Sequence, residues 1–98
     1  MTRVVDPAEV ELGAVQDLIE LTGKAVLDIG CGDGRTSRRF ARMAASVLGV
    51  DPDADAVAYA RQVGTEHPSH DCRYIAAELL TLDLEPASFD VVVFSRSL

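Results

Sequence analysis

Residues 26–34 read "VLDIGCGDG": an apolar run broken by a carboxylate at Asp28, then glycine at every second position, Gly30, Gly32 and Gly34. A strand that runs straight into a helix must turn sharply, and glycines permit both the left-handed φ angles of such a turn and the close approach of a ligand to bare backbone. The next residues fit that reading. "RTSRRFARMAA" has the apolar spacing of a helix, "SVLGVD" is a second strand, and Asp51 closes it 21 residues beyond Gly30. An acid at that place accepts hydrogen bonds from ribose hydroxyls in a nucleoside-binding βαβ unit. The plainer alternative is a tight glycine turn beside an ordinary loop acid. Strand, glycines, helix, strand and acid in register favour the nucleoside seat.

Working outward, "DPAEVELGAVQDLIELTG" has Asp6 as N-cap, Pro7 at the first helical position and Glu9 three residues after the cap. With Val10, Ala14, Val15, Leu18 and Ile19 on one face and Gly23 as a stop, it predicts a helix over 7–22. Asp53 caps a further helix over "ADAVAYARQVG", which is expected to end near Gly64. "CRYIAA" and "FDVVVFS" are third and fourth strands, the last too continuously apolar to lie anywhere but inside a covered sheet. Strands separated by helices predict an α/β fold with a mainly parallel sheet. Right-handed crossovers place the helices of 35–45 and 54–64 on one face. The opposite face is then short of cover, with only the segment 77–88 to shield it unless the first helix moves across, and the edge of residues 90–95 is unpaired, so a homodimer or larger association through one of them is expected.

Composition narrows the classes. A chain of 98 residues is normally one domain, and its 48% hydrophobic content suffices for a core. No apolar stretch approaches the roughly 18 to 20 residues of a membrane span. The first residues lack a secretory pattern, and Cys31 and Cys72 show no disulfide-framework spacing, so a reducing cytoplasm is expected. A formal net charge of -7 argues against binding nucleic acid through its phosphates and for a small-molecule partner.

Charge also selects among nucleosides. The dinucleotide fingerprint G-x-G-x-x-G needs a glycine where this chain has Arg35, and Asp28 and Asp33 would repel a pyrophosphate. A ligand bearing cations, such as the ammonium and sulfonium of S-adenosylmethionine, would be drawn to those carboxylates. Here the sequence resembles a family. "VLDIGCGDGRTS" followed by "GVD" is similar to the first two cofactor motifs of the class I S-adenosylmethionine-dependent methyltransferases. "AELLTLDLEPASFDVVVFSRSL", residues 77–98, is similar to that family's stretch G-D-A-x-x-L-P-F-x-D-x-S-F-D with its apolar fourth strand. The small-molecule enzymes of the quinone-biosynthesis type are nearest in style.

The resemblance runs from about Lys24 to the end and implies a doubly wound, Rossmann-like fold with its four strands in the order 3-2-1-4, in one cofactor-binding domain. Carried over to this chain, it implies that Gly30, Cys31 and Gly32 face the methionine moiety through their backbone, with Gly34 completing the turn. Asp28 helps hold the ammonium, Asp51 the ribose hydroxyls, and Glu78 with the Leu79 N–H the adenine edge, which Pro52 flanks. The departures are Ala77 for the usual glycine, Glu78 for the commoner aspartate, and Leu80 and Thr81 where acids are frequent; the first two bear on the adenine contact. Three further strands and most of the acceptor pocket of the family have no counterpart here, so the resemblance implies a truncated domain that is inactive alone. It also implies transfer to an unidentified small molecule when the fold is complete. The alternative is a non-catalytic S-adenosylmethionine-binding or assembly module. Whether the open reading frame continues past Leu98 discriminates the two.

Other features carry less. No base declares itself, so no catalytic residue is assigned. Ser95 ends the fourth strand where ligands of open α/β sheets bind, near the methionine end of the cofactor, and an ordinary strand-end serine fits as well. His67, His70 and Cys72 lack a second ligand group, and no metal is assigned. Arg35, Arg38, Arg39 and Arg42 read as a solvated face rather than an RNA contact. Cys31 is read as a small side chain beside a ligand, not a nucleophile.

Overall fold

The computed structural model describes residues 3–5, 21–66, 71–78 and 88–95. Strands β1 (Arg3–Val5), β2 (Ala25–Ile29), β3 (Ser46–Asp51), β4 (Cys72–Ala76) and β5 (Val91–Phe94) form one sheet, with helices α1 (Arg35–Ala41) and α2 (Ala54–Glu66) in the two crossovers β2–β3 and β3–β4. The order is β1-β5-β2-β3-β4, and every neighbouring pair is parallel. Leaving β1 aside, this is the expected 3-2-1-4 arrangement. The predicted helix over 7–22 lies almost wholly outside the described residues, as does the segment between Glu78 and Ser88.

Alternation along the strands divides the core in two. On one face Val26, Val47, Val91 and Val93 pack with Leu21, Phe40 and Ala41, and beside them Tyr74 packs with Cys31, Val57 and Ala60. Cys72 lies against both groups, so α1 and α2 cover the same face, as the handedness of the crossovers requires. Val57 is fully buried, and burying such a side chain contributes about 1.5–3 kcal/mol. On the other face Leu27, Ile29, Val50 and Val92 form a second cluster with Leu48, Phe89 and Phe94 against it.

That second cluster corrects one expectation. The face expected to be short of cover has Leu27, Ile29, Val50 and Val92 only 2–8% exposed. The edge expected to be open is also occupied, because β1 pairs with β5 in the register Arg3↔Val91, Val4↔Val92 and Val5↔Val93. The two features from which a homodimer was expected are therefore not present as such: Leu27, Ile29, Val50 and Val92 are buried, and the Val91–Val93 edge is paired by β1.

The helix ends follow local chemistry. Asp53 Oδ1 accepts the N–H groups of Asp55 and Ala56, both at 3.1 Å, and caps α2 as expected. That helix passes through Gly64 to Glu66, because a glycine inside a packed helix costs only about 1 kcal/mol. The first helix stops at Ala41, short of the expected 45. Ala45 donates to the Lys24 carbonyl at 2.8 Å, which draws the chain away to start β3 beside β2. At the same end of the sheet Ala25 and Asp90 clasp each other, Asp90 Oδ2 accepting the Ala25 N–H at 2.9 Å while the Asp90 N–H donates to the Ala25 carbonyl at 2.8 Å.

Candidate cofactor site

The turn after β2 lies at the carboxyl ends of the strands, where ligands of open α/β sheets bind. Gly30, Gly32 and Gly34 have φ of 80°, 53° and 83°. At Gly34 the left-handed angle lets the chain enter α1 within one residue; its carbonyl accepts the Arg38 N–H at 2.8 Å. The turn is tied down throughout. Gly30 and Cys31 donate to the Val50 carbonyl at 2.8 and 3.1 Å, Gly34 donates to the Cys31 carbonyl at 2.9 Å, and the Arg35 N–H donates to Asp33 Oδ1 at 3.1 Å.

Asp51 supplies the remaining tie. Its Oδ2 accepts the Gly32 N–H and its Oδ1 the Asp53 N–H, each at 2.9 Å, and the residue is 4% exposed. Each oxygen retains a second lone pair, so the carboxylate can accept further hydrogen bonds. The Ala77 N–H donates to the Asp51 carbonyl at 3.0 Å, which brings exposed Glu78 to the same end of the sheet as exposed Pro52. Leu79 lies outside the described residues.

Asp28 is wholly buried in the centre of β2 and holds its carboxylate between two hydroxyls, Ser37 Oγ donating to Oδ2 at 2.5 Å and Ser95 Oγ donating to Oδ1. Burial pushes its pKa up from 3.8 to about 6, against the lowering influence of Ser37 and then Ser95, and the like charge of Asp51 adds to the rise. Above it opens a cleft of about 200 Å³ lined by Gly30, Cys31, Asp33, Arg35, Thr36 and Ser95. The Ser95 N–H continues the ladder to the Ile29 carbonyl at 2.9 Å, so its hydroxyl stands between the buried acid and the cleft. A pocket for a whole cofactor is usually about 300–1,000 Å³, so this cleft suits one end of a ligand.

The candidate residues thus form two groups joined by the Asp51 to Gly32 hydrogen bond. Gly30, Cys31 and Ser95 line the cleft with Asp28 beneath, whereas Asp51, Pro52 and Glu78 lie alongside at the ends of β3 and β4. The Cys31 thiol, 4% exposed, is pushed up to about 12 by burial and by the charges of Asp28 and Asp51. It is the reverse of an activated nucleophile. Among the described residues no group of three His, Cys, Asp or Glu could hold a metal; His67 and His70 are not among them.

Sequence reasoning missed three residues. Ser37 sits on α1 in an arginine-rich turn with nothing local to mark it. Gly49 did carry a signal, since glycine inside a strand marks close backbone approach. A Cβ there would meet the Cys31 Cβ and Tyr74 Cδ1 at 2.9 Å, so Gly49 is what lets the turn settle onto the sheet. Tyr74 in β4 is the pillar beneath: a Cβ on Gly34 would meet its Cε1 and hydroxyl at 2.8 Å.

The family model of the methyltransferase domain matches residues 26–98. An uncharacterised methyltransferase of Mycobacterium tuberculosis is 35% identical over 92 residues, 93% of this chain and 45% of that protein. The ubiquinone biosynthesis O-methyltransferase of Idiomarina loihiensis is 42% identical over 85 residues, 85% of this chain and 35% of that enzyme. Among solved structures, magnesium protoporphyrin IX methyltransferase from Synechocystis, with S-adenosylmethionine bound, has a TM-score of 0.70 at 27% identity, covering 89% of this chain and 43% of its own. The chain spans between about a third and a half of the length of these proteins. With the family model matched over residues 26–98 and these relatives beside it, the chain belongs to the methyltransferase-domain family of S-adenosylmethionine-dependent enzymes.

Proposed function

We propose that the chain seats S-adenosylmethionine, and after transfer S-adenosylhomocysteine, across the Gly30–Gly34 turn, as the cofactor part of an enzyme that methylates a small molecule. The observation that carries this is the hydrogen bonding of the turn. The N–H groups of Gly30, Cys31, Gly32, Gly34 and Arg35 all have acceptors within the chain, so the turn has few donors left for a pyrophosphate. The charged groups at the cleft are Asp33 on its rim, held low chiefly by the Arg35 N–H and paired with the Arg35 guanidinium at 3.4 Å, and Asp28 behind Ser95, so carboxylates outnumber the one cation. That set of acceptors fits a cationic nucleoside better than a dinucleotide.

When bound, the cofactor supplies a methyl group on a sulfonium, and transfer then depends chiefly on how the two reactants are positioned. In this reading the backbone at Gly30–Gly32 lies along the methionine moiety, with Asp28, through Ser95, providing the negative charge for its ammonium. Asp51 adds the ribose hydroxyls to the hydrogen bonds it already accepts. Pro52 flanks the adenine, whose edge meets Glu78 and Leu79. Both cysteines are free thiols, which accords with a reducing cytoplasm. The acceptor is a small molecule; the O-methyltransferases of ubiquinone biosynthesis among the relatives make hydroxyl oxygens the first class to assay, phenols among them.

Calorimetric titration with S-adenosylmethionine, S-adenosylhomocysteine and NAD tests the seat. Heats from the first two that vanish in Asp51→Ala support it, and preferential binding of NAD, or equal heats in the variant, sinks it. Labelled-methyl transfer to phenolic acceptors, in the 98-residue chain and in any longer in-frame product, tests the enzyme. A chain that binds the cofactor while neither form transfers methyl identifies a binding module.

A further inference from the structure

We infer that Ser37, on α1 and on the far side of Asp28 from the cleft, is a positioning residue that keeps the Asp28 carboxylate ionised and turned toward the cofactor's cationic end. The inference rests on the proposed seat and deepens it. Ser37 is wholly buried and its hydroxyl is 2.5 Å from Asp28 Oδ2, while Ser95 takes Oδ1 at the cleft. The two serines come from different elements and each holds one oxygen of the carboxylate, Ser37 from the helix and Ser95 from the cleft side. A buried carboxylate with a single hydroxyl partner would take up a proton or swing toward that partner; two donors on opposite oxygens oppose both.

The division of labour follows from accessibility. Ser95 borders the cleft, so an incoming ammonium can take over or share the oxygen it holds. Ser37 has no such competitor and stays in place whether or not ligand is present. The charged and titratable groups around Asp28 do not duplicate it. Asp51 on β3 raises the acid's pKa, and the thiols of Cys31 on the turn and Cys72 on β4, both themselves raised, remain protonated through the neutral range. On the rim, Asp33 and Arg35 pair with each other at 3.4 Å. The hydroxyls of Ser37 and Ser95 are the groups that favour the charged form, and Ser37 is the stronger of the two.

The test is a side-chain carboxyl NMR titration of Asp28 in the unliganded protein, paired with S-adenosylhomocysteine binding between pH 4.5 and 8. The expected wild-type midpoint is near 6, with affinity falling as pH drops through it. In Ser37→Ala the midpoint and the acid limb of binding should both rise by about one unit or more, the size set by losing a hydrogen bond to a charged group. Ser37→Thr should restore both. Ser37→Cys, of similar volume and with a weaker donor, should shift them the same way as alanine if alanine does not fold. An unmoved midpoint in Ser37→Ala or Ser37→Cys, with affinity lowered equally at every pH, overturns the inference and leaves the seat standing. No binding by wild type, or an acid limb that persists in Asp28→Asn, overturns the ammonium role of Asp28 and this inference with it.

Discussion

Asp51 and Gly32 are 19 residues apart in the chain, yet the Asp51 Oδ2 accepts the Gly32 N–H at 2.9 Å in a buried hydrogen bond, so the acid that ends β3 holds the turn that ends β2. Removing it should show first in the turn. Asp51→Ala leaves the Gly32 and Asp53 N–H groups without their acceptor, and a stability loss of about 1–3 kcal/mol is expected. Asp51→Asn retains one carbonyl oxygen and should cost less. Urea unfolding measures the loss, and faster amide exchange at Gly32 than at Val50 would place it at the turn.

Two glycines should respond in opposite directions to alanine. At Gly49 the new Cβ would lie 2.9 Å from the Cys31 Cβ, so the turn must lift, and a cost of about 1–3 kcal/mol is expected together with weaker cofactor binding. At Gly64, inside α2, the nearest atom to the new Cβ is Tyr74 Cε2 at 3.8 Å, an ordinary contact. Gly64→Ala should therefore stabilise the chain by roughly 0.5–1 kcal/mol, through helix propensity alone. Thermal unfolding of both variants tests the contrast, and a stabilised Gly49→Ala would contradict the packing of the turn on β3.

Asp28 sets a pH dependence of stability whose sign is definite. Its pKa is raised on folding, from 3.8 to about 6, so the folded state holds the proton more tightly than the unfolded one. The stabilisation this brings is full below about 4 and is lost as pH rises through 6. A shift of about two units corresponds to roughly 3 kcal/mol at most. Asp28→Asn removes the titration, and its stability relative to wild type should rise between pH 4 and 8 while cofactor affinity falls. Urea midpoints at pH 4.5 and 8 check this; a variant less stable than wild type by the same margin at both would contradict it.

The Cys31 thiol should be inert in the folded chain. It is 4% exposed and pushed up to about 12, so at pH 8 almost none of it is thiolate. A disulfide reagent at pH 8 should modify Cys31 only at the rate of unfolding, with mass spectrometry reporting the site. Rapid modification under native conditions would mean that the turn opens far more often than its hydrogen bonds allow.

The strands and the glycine turn were legible because they depend on short-range patterns. Val26–Gly34 states the strand and its turn within nine residues, and the Asp53 cap states where α2 begins. Helix ends were less so. Residues 42–45 have nothing against continuing α1, and the helix stops because Lys24, some twenty positions earlier, claims the Ala45 N–H.

Sequence patterns alone carried β2 to β5, the helices α1 and α2 between them and the glycine turn that follows Asp28, while the 3-2-1-4 order came with the family resemblance. Periodicity, capping and crossover handedness act through neighbours in the chain. The pairing of Arg3–Val5 with β5 emerged with the assembled sheet, since three residues are too few to show a period and take their strand form from the backbone groups Val91–Val93 present. The tertiary structure alone seated Ser37 beneath Asp28 and the turn on Gly49 and Tyr74. Those contacts join elements that meet only when the sheet closes its order, and a hydroxyl in a helix or a glycine in a strand acquires its role from what the fold sets against it.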